Sequence, residues 1–262
     1  MQPSAYKVPE VELAINDDFD QGDDEPGSDE DLVDTDSSFC QRLVHVVFNR
    51  NYLMVTLSIT FLYYIITGLQ YWMSDYMIVV LKQEDTIVFL SFGLISITGP
   101  VFGVIVGGNI TTALGGYSTR RSLQQTMCFT FMCLLSALPC PFIESFGLFC
   151  ACLWFLLFFG GAILPSLTGI LLNTVKKKQK TVANSIAYLA YNLFGFLPSP
   201  FIYGMITDSG EGKRDRLAMT FLMGTAIIPV FAFSIASYFI FRDDVLGFKA
   251  AEARAIRNNN KK

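Results

Sequence analysis

Residues 87–110 read IVFLSFGLISITGPVFGVIVGGNI, 24 positions with no ionisable side chain. A helix of that length reaches about 36 Å at 1.5 Å per residue, enough for the ~30 Å hydrocarbon core of a bilayer. Gly99, Gly103 and Gly107 recur every fourth residue within it, which lays a flat stripe along one face where a second helix can approach closely. Five more stretches pass the same length test: Tyr52 to Val80, Thr126 to Ile143, Phe146 to Leu172, Val182 to Ile206 and Leu217 to Phe241. Helices of a soluble bundle keep polar outer faces, whereas the second to sixth stretches contain no Lys, Arg or His. The expected fold class is an all-α membrane protein with six transmembrane helices.

Charge is distributed unevenly around these spans. Charged residues make up 16% of the chain, below the roughly one quarter usual in soluble domains. Residues 1–40 hold 13 acids and one base, Lys7, so the net of −4 conceals an acidic tail and a basic body. The tail has too little apolar surface to offset ordering entropy and is expected to be disordered. It has no basic start followed by an apolar run, so it does not resemble a signal peptide. The expected organisation is an acidic tail over 1–41, a membrane domain over 42–245 and a basic tail over 246–262. Counting Lys and Arg in the flanks from an inside start puts 14 on one side, including Arg50, Arg120, Arg121, Lys176, Lys180 and Arg242. The other side receives four: Lys82, Lys213, Arg214 and Arg216. By the positive-inside rule both termini are expected in the cytosol.

Two polar faces interrupt the apolar spans. In the first, Tyr64, Gly68, Tyr71 and Asp75 follow helical spacing, with Tyr63, Thr67 and Gln70 beside them. In the fifth, Asn184, Tyr188, Asn192, Gly195 and Ser199 form a similar stripe. Polar groups are costly against lipid, so both faces are expected to point into the bundle or into a watery cavity. Tyr63, Tyr64, Thr67, Gln70, Tyr71, Tyr188 and Asn192 are the candidate substrate-cavity residues; interhelical hydrogen bonding is the competing role for the same atoms. Asp75 is an acid within reach of the membrane and a candidate for proton or ion coupling. About 20 residues from Tyr52 already reach Tyr71, so Asp75 equally suits the outer water interface, beside the aromatic belt of Trp72 and Tyr76. Pro100, Pro165, Pro198, Pro200 and Pro229 lie inside spans, where each removes a backbone donor and permits bending.

The sequence has no Walker loop, HExxH, GxSxG or paired intramembrane aspartates, and its one histidine, His45, precedes the first span. With no nucleophile beside a base, no enzyme activity is expected. The six cysteines form no CxxC pair and read as small buried hydrophobes. No metal site, cofactor or nucleic-acid partner is expected.

Several segments resemble a known superfamily. Thr67-Gly68-Leu-Gln-Tyr-Trp72, Phe92-Gly93 followed by Thr98-Gly99, Gly103 and Gly107-Gly108, and Asn192-Leu-Phe-Gly195-Phe-Leu-Pro198-Ser199-Pro200-Phe-Ile-Tyr203-Gly204 resemble the seventh, eighth and eleventh helices of major facilitator transporters. The closest likeness is to the Spinster-like group, over roughly residues 42–245. Asn192 stands where that group has His, Phe196-Leu197-Pro198 replaces an Asp-Ala-Gly-like stretch, and the loop from Gly108 to Arg121 lacks its usual Asp. The Pro-Ser-Pro and Tyr-Gly segment also resembles organic-anion transporters, whose large Cys-rich outer loop has no counterpart in Phe142–Phe146.

The resemblance implies that 52–143 and 146–241 are two inverted three-helix repeats, forming the C-terminal half of a facilitator. Residues 1–41 then become part of the linker between halves. The implied function is secondary-active transport of a lipid-like or small organic solute by alternating access, in the plasma membrane or an endolysosomal membrane. Membrane lipids, the solute and a missing N-terminal half or a second copy are the implied partners. Two alternatives stand beside it: a six-span protein acting in assembly or regulation without transport, and a half-transporter that homodimerises.

Overall fold

The computed structural model describes residues 47–117, 119–175, 179–207 and 212–242, and every regular element among them is helical. The acidic segment 1–41, Lys176–Lys178 and the basic tail 246–262 lie outside the described residues. Among the described residues six helical stretches are long and apolar enough to cross a membrane. The first is α1 (Arg50–Val79), the second α2 (Asp85–Ala113) and the third α3 (Arg120–Ala137). A short 3₁₀ turn over Cys140–Phe142 continues the third, and α4 (Phe146–Asn173) is the fourth. The fifth comprises α5 (Lys180–Tyr191), a π-turn (Asn192–Phe196) and α6 (Pro198–Thr207). The sixth comprises α7 (Gly212–Gly224) and α8 over 227–242.

Local chemistry sets the starts and breaks. The Asn49 side chain accepts from the amides of Asn51 and Tyr52 and donates to the Thr174 carbonyl at 2.9 Å. It therefore caps α1 and ties it to the end of α4. Thr119 caps α3 by accepting from the Ser122 amide. This cap starts the third span at Arg120, six residues before the apolar run alone indicates. Gly115 and Gly116 turn the chain before it with φ of +93° and +82°, a region open to glycine. Pro198 has no N–H for the carbonyl four residues back, and there the helix widens so that the Leu197 amide bonds the Asn192 carbonyl. The break in the sixth span has the same origin: Pro229 offers no donor to the Thr225 carbonyl, which takes the Ile228 amide instead at 3.0 Å.

α1 is the axis of the bundle, with 67% of its most apolar window buried, against 22% for α2 and 17% for the fifth span. It packs against α2, α4, α5, the π-turn, α6 and α7, and Tyr76 reaches the Pro141 carbonyl at the end of the third span. Tyr52 donates to the Ala183 carbonyl at 2.7 Å, and Ser58 to the Pro229 carbonyl at 3.2 Å. The most extensive seam runs between α2 and α4. A Cβ at Gly103 would collide with the Phe158 carbonyl, and one at Gly107 with that of Ala162. At Gly161, on the facing helix, it would lie 2.6 Å from the Pro100 carbonyl. Trp154 closes one end of this seam, donating to the Thr98 hydroxyl at 3.0 Å and stacking on Phe158.

The described cysteines form no disulfide. Cys133 and Cys140 are buried, and each donates to a helix carbonyl. Cys128 departs from the expected burial and lies exposed on α3, because the stripe that α3 buries follows Leu123, Thr126, Thr130 and Cys133 instead.

Candidate functional site

The polar face of α1 divides in two. Tyr64 and Gly68 point into a packed seam with α6 and α7. Ser199 of α6 donates to the Tyr64 carbonyl at 2.5 Å, and a Cβ at Gly68 would lie 2.7 Å from both Ser199 Oγ and a Leu222 methyl. Thr67 is also buried, its hydroxyl turned back onto the Tyr63 carbonyl at 2.8 Å. Further along the same seam Trp72 donates to the Pro200 carbonyl at 3.0 Å and stacks on Tyr203.

Tyr63 and Gln70, seven residues apart and so on one face, lie on the other side of α1. With Phe92, Ser96 and Pro100 of α2 and Leu157, Gly161 and Leu164 of α4 they line a cavity of about 210 Å³. Its polar groups are one phenol, one amide and one hydroxyl, all neutral. The Ser96 hydroxyl is buried and has no hydrogen-bond partner in the structure. Pro100 supplies no N–H to the Ser96 carbonyl four residues earlier, so the proline and the unpaired serine fall at the same place in the wall.

Tyr63 links this cavity to the fifth span. Its ring stacks on Tyr191 at 4.5 Å with 8° between the planes, and Tyr191 meets Tyr188 edge to face at 5.2 Å. Tyr188 is 60% exposed. Asn192 donates to the Tyr188 carbonyl at 2.7 Å, at the entry to the π-turn. Gly195 in that turn brings α1 close, since a Cβ there would collide with the Thr60 carbonyl. Tyr71 projects outward at 71% exposure. Asp75 is exposed at the far end of α1, and the charge on Asp215 at the start of α7 lies within its electrostatic reach.

Sequence reasoning names Phe92 and Pro100 but assigns neither to a cavity and passes over Ser96, although their i, i+4, i+8 spacing puts all three on one face of α2. The glycine ladder on the neighbouring face gives the stronger signal. A polar knot joins α2, α3 and α4 beyond the cavity and carries no sequence signal of its own. The Thr111 hydroxyl lies 2.7 Å from that of Ser166 and 3.2 Å from Gln125 Oε1, and Gln125 donates to the Gly107 carbonyl. Among the described residues no cluster of His, Cys, Asp or Glu is arranged to hold a metal ion.

Among the described residues, six apolar spans packed about the first of them define half of a major facilitator-type transporter fold. A bacterial homologue of the human lysosomal transporter Spinster, solved inward-facing and unoccupied, matches 84% of this chain at a TM-score of 0.65 and 12% identity. The same description in the occupied state matches 73% at a TM-score of 0.51 and 14% identity. The chain spans about half the length of these structures, 53% and 48% respectively. The sequence profile of the Organic Anion Transporter Polypeptide (OATP) family matches residues 7–145 and 139–210. The chain therefore belongs to that family, the one whose Pro-Ser-Pro and Tyr-Gly segment it resembles, even with a short connection at Phe142–Phe146. No curated protein sequence matches it.

Proposed function

We propose that this chain is one half of a secondary-active transporter that carries a lipid-like or small organic solute by alternating access. The carrying observation is the neutral cavity between α1, α2 and α4, with the unpartnered Ser96 hydroxyl in its wall. Its ~210 Å³ falls short of the roughly 300–1,000 Å³ of complete small-molecule sites, which suits a cavity completed by a second six-helix unit. A solute held here would present an apolar or aromatic body to Tyr63, Phe92 and Leu164 and offer hydrogen bonds to Gln70 and Ser96. Pro100 inside the continuous α2 and the π-turn of the fifth span are the bending points in this reading. Both termini lie in the cytosol in this reading, on the strength of the loop charges.

The test is uptake of a fluorescent lysophospholipid and of a fluorescent organic anion into liposomes carrying the chain with its complementary half. Tyr63→Ala and Gln70→Ala are expected to lower uptake of the carried solute by about fivefold each, the equivalent of ~1 kcal/mol of lost interaction, with insertion unchanged. Uptake equal to that of the unaltered chain in both variants would show that this cavity does not bind the solute.

A further inference from the structure

A second cavity, of about 320 Å³, opens between α3 and α8 at the base-rich end of the bundle. Its polar wall is Arg120, Gln124, Ser234, Ser237 and Tyr238, of which Ser234 already donates to the Val230 carbonyl, and Leu123 and Met127 continue it along α3. The Arg120 guanidinium carbon stands 4.1 Å from the centre of the Phe241 ring. Among the described residues the Arg120 guanidinium makes no hydrogen bond, so its N–H groups are available to an oxyanion. Among the described residues Arg120 pairs with no carboxylate. The described acids are Asp75, Glu84, Asp85, Glu144 and Asp215. Chain order places all five at the other end, close to the α1–α2 turn, in the α3–α4 connection or at the start of α7. Arg50 and Arg242 crowd the same end as Arg120, both over the Phe239 ring.

We infer that this cavity binds a phosphate group carried by an anionic membrane lipid. Arg120 and the first turn of α3 supply positive charge. Ser237, Gln124 and the Tyr238 hydroxyl supply further donors, and Leu123 and Met127 lie where glycerol and the first acyl carbons would follow. An arginine fork suits a phosphate's paired oxygens, and basic pockets between spans are the usual form of headgroup sites. Because this cavity shares no lining residue with the Tyr63 cavity, the lipid here is a bound partner and not the carried solute.

The experiment is native mass spectrometry of the full chain in neutral detergent, titrated with dioctanoyl phosphatidylglycerol and, separately, dioctanoyl phosphatidylcholine. The anionic lipid is expected to be retained about fivefold more strongly, from ~1 kcal/mol per basic residue. Arg120→Gln should abolish that preference and Ser237→Val should weaken it, whereas Arg121→Gln, one residue away and outside the cavity, should preserve it. Equal losses in R120Q and R121Q would mean diffuse surface attraction and overturn the site. Displacement of the lipid by millimolar glycerol 1-phosphate would keep the phosphate site but assign it to a soluble anion. Asp243 and Asp244, next in sequence after Arg242 and outside the described residues, are the internal competitors. Unchanged retention in a D243N/D244N chain supports the lipid, and a marked rise would make the cavity a latch for its own tail and overturn the assignment.

Discussion

Adding a single methyl group at Gly103 tests the seam on which both the fold and the solute cavity depend. Glycine inside a helix is destabilising by roughly 0.5–1 kcal/mol relative to alanine, so Gly→Ala on an open face of α2 should stabilise it. Gly93 and Gly108 are such positions, since a Cβ added at either would meet nothing within 4 Å. At Gly103 the same methyl group would overlap the Phe158 carbonyl, a backbone atom that cannot rotate away. Forcing an extra carbon into a packed seam costs about 1–3 kcal/mol, and the difference between G103A and G93A isolates that cost because helix propensity cancels. Thermal unfolding in detergent, followed by tryptophan emission in a Trp72→Phe background, reads it at the seam itself, where the Trp154 indole stacks on Phe158. At roughly 2–4 °C per kcal/mol for a chain of this size, G103A should melt several degrees below G93A. G107A should behave like G103A, and G108A like G93A. If all four variants melt together, α2 and α4 do not approach through the glycine ladder and the position of the Ser96 wall falls with it.

Two further outcomes follow from the α1 seams and the outer rim. Ser199→Ala removes a buried hydrogen bond to the Tyr64 carbonyl and should lower stability by about 1 kcal/mol while leaving solute uptake intact; a selective loss of uptake would move Tyr64 and Ser199 from packing into the transport path. Glu144→Gln breaks the pair with Arg216 at 3.3 Å, where the glutamate side chain is 79% exposed. An exposed pair is worth less than about 1 kcal/mol, so unfolding should shift by no more than the error of the melt, and a large drop would mean that this end of the bundle is closed by that contact.

The charge pattern explains why the two cavities differ in what they suit. Every described Lys, Arg, Asp and Glu sits near a helix end, since an ion at mid-membrane is expensive. The Tyr63 cavity, walled by the middles of α1, α2 and α4, is therefore neutral. The Arg120 cavity, at the start of α3, has access to cations. An anionic solute in the Tyr63 cavity would meet no cation in its wall.

The sequence by itself determined the six spans, because a bilayer demands about 20 apolar residues per crossing and no other arrangement of this composition meets that demand. It also determined the segregation of bases to one end and the flat stripe of Gly99, Gly103 and Gly107. What it could not separate were the two faces of α1. Tyr63 and Tyr64 are adjacent and so about 100° apart on the helix, both are polar-tipped aromatics, and periodicity treats them alike. Long-range packing told them apart: α6 and α7 cover Tyr64 and Gly68, while the gap left beside Pro100 opens onto Tyr63, Gln70 and Ser96. Arg120 shows the same division. As sequence it is one of 14 bases on one flank, and only the return of α8, more than a hundred residues later in the chain, places Phe241, Ser237 and Tyr238 around it.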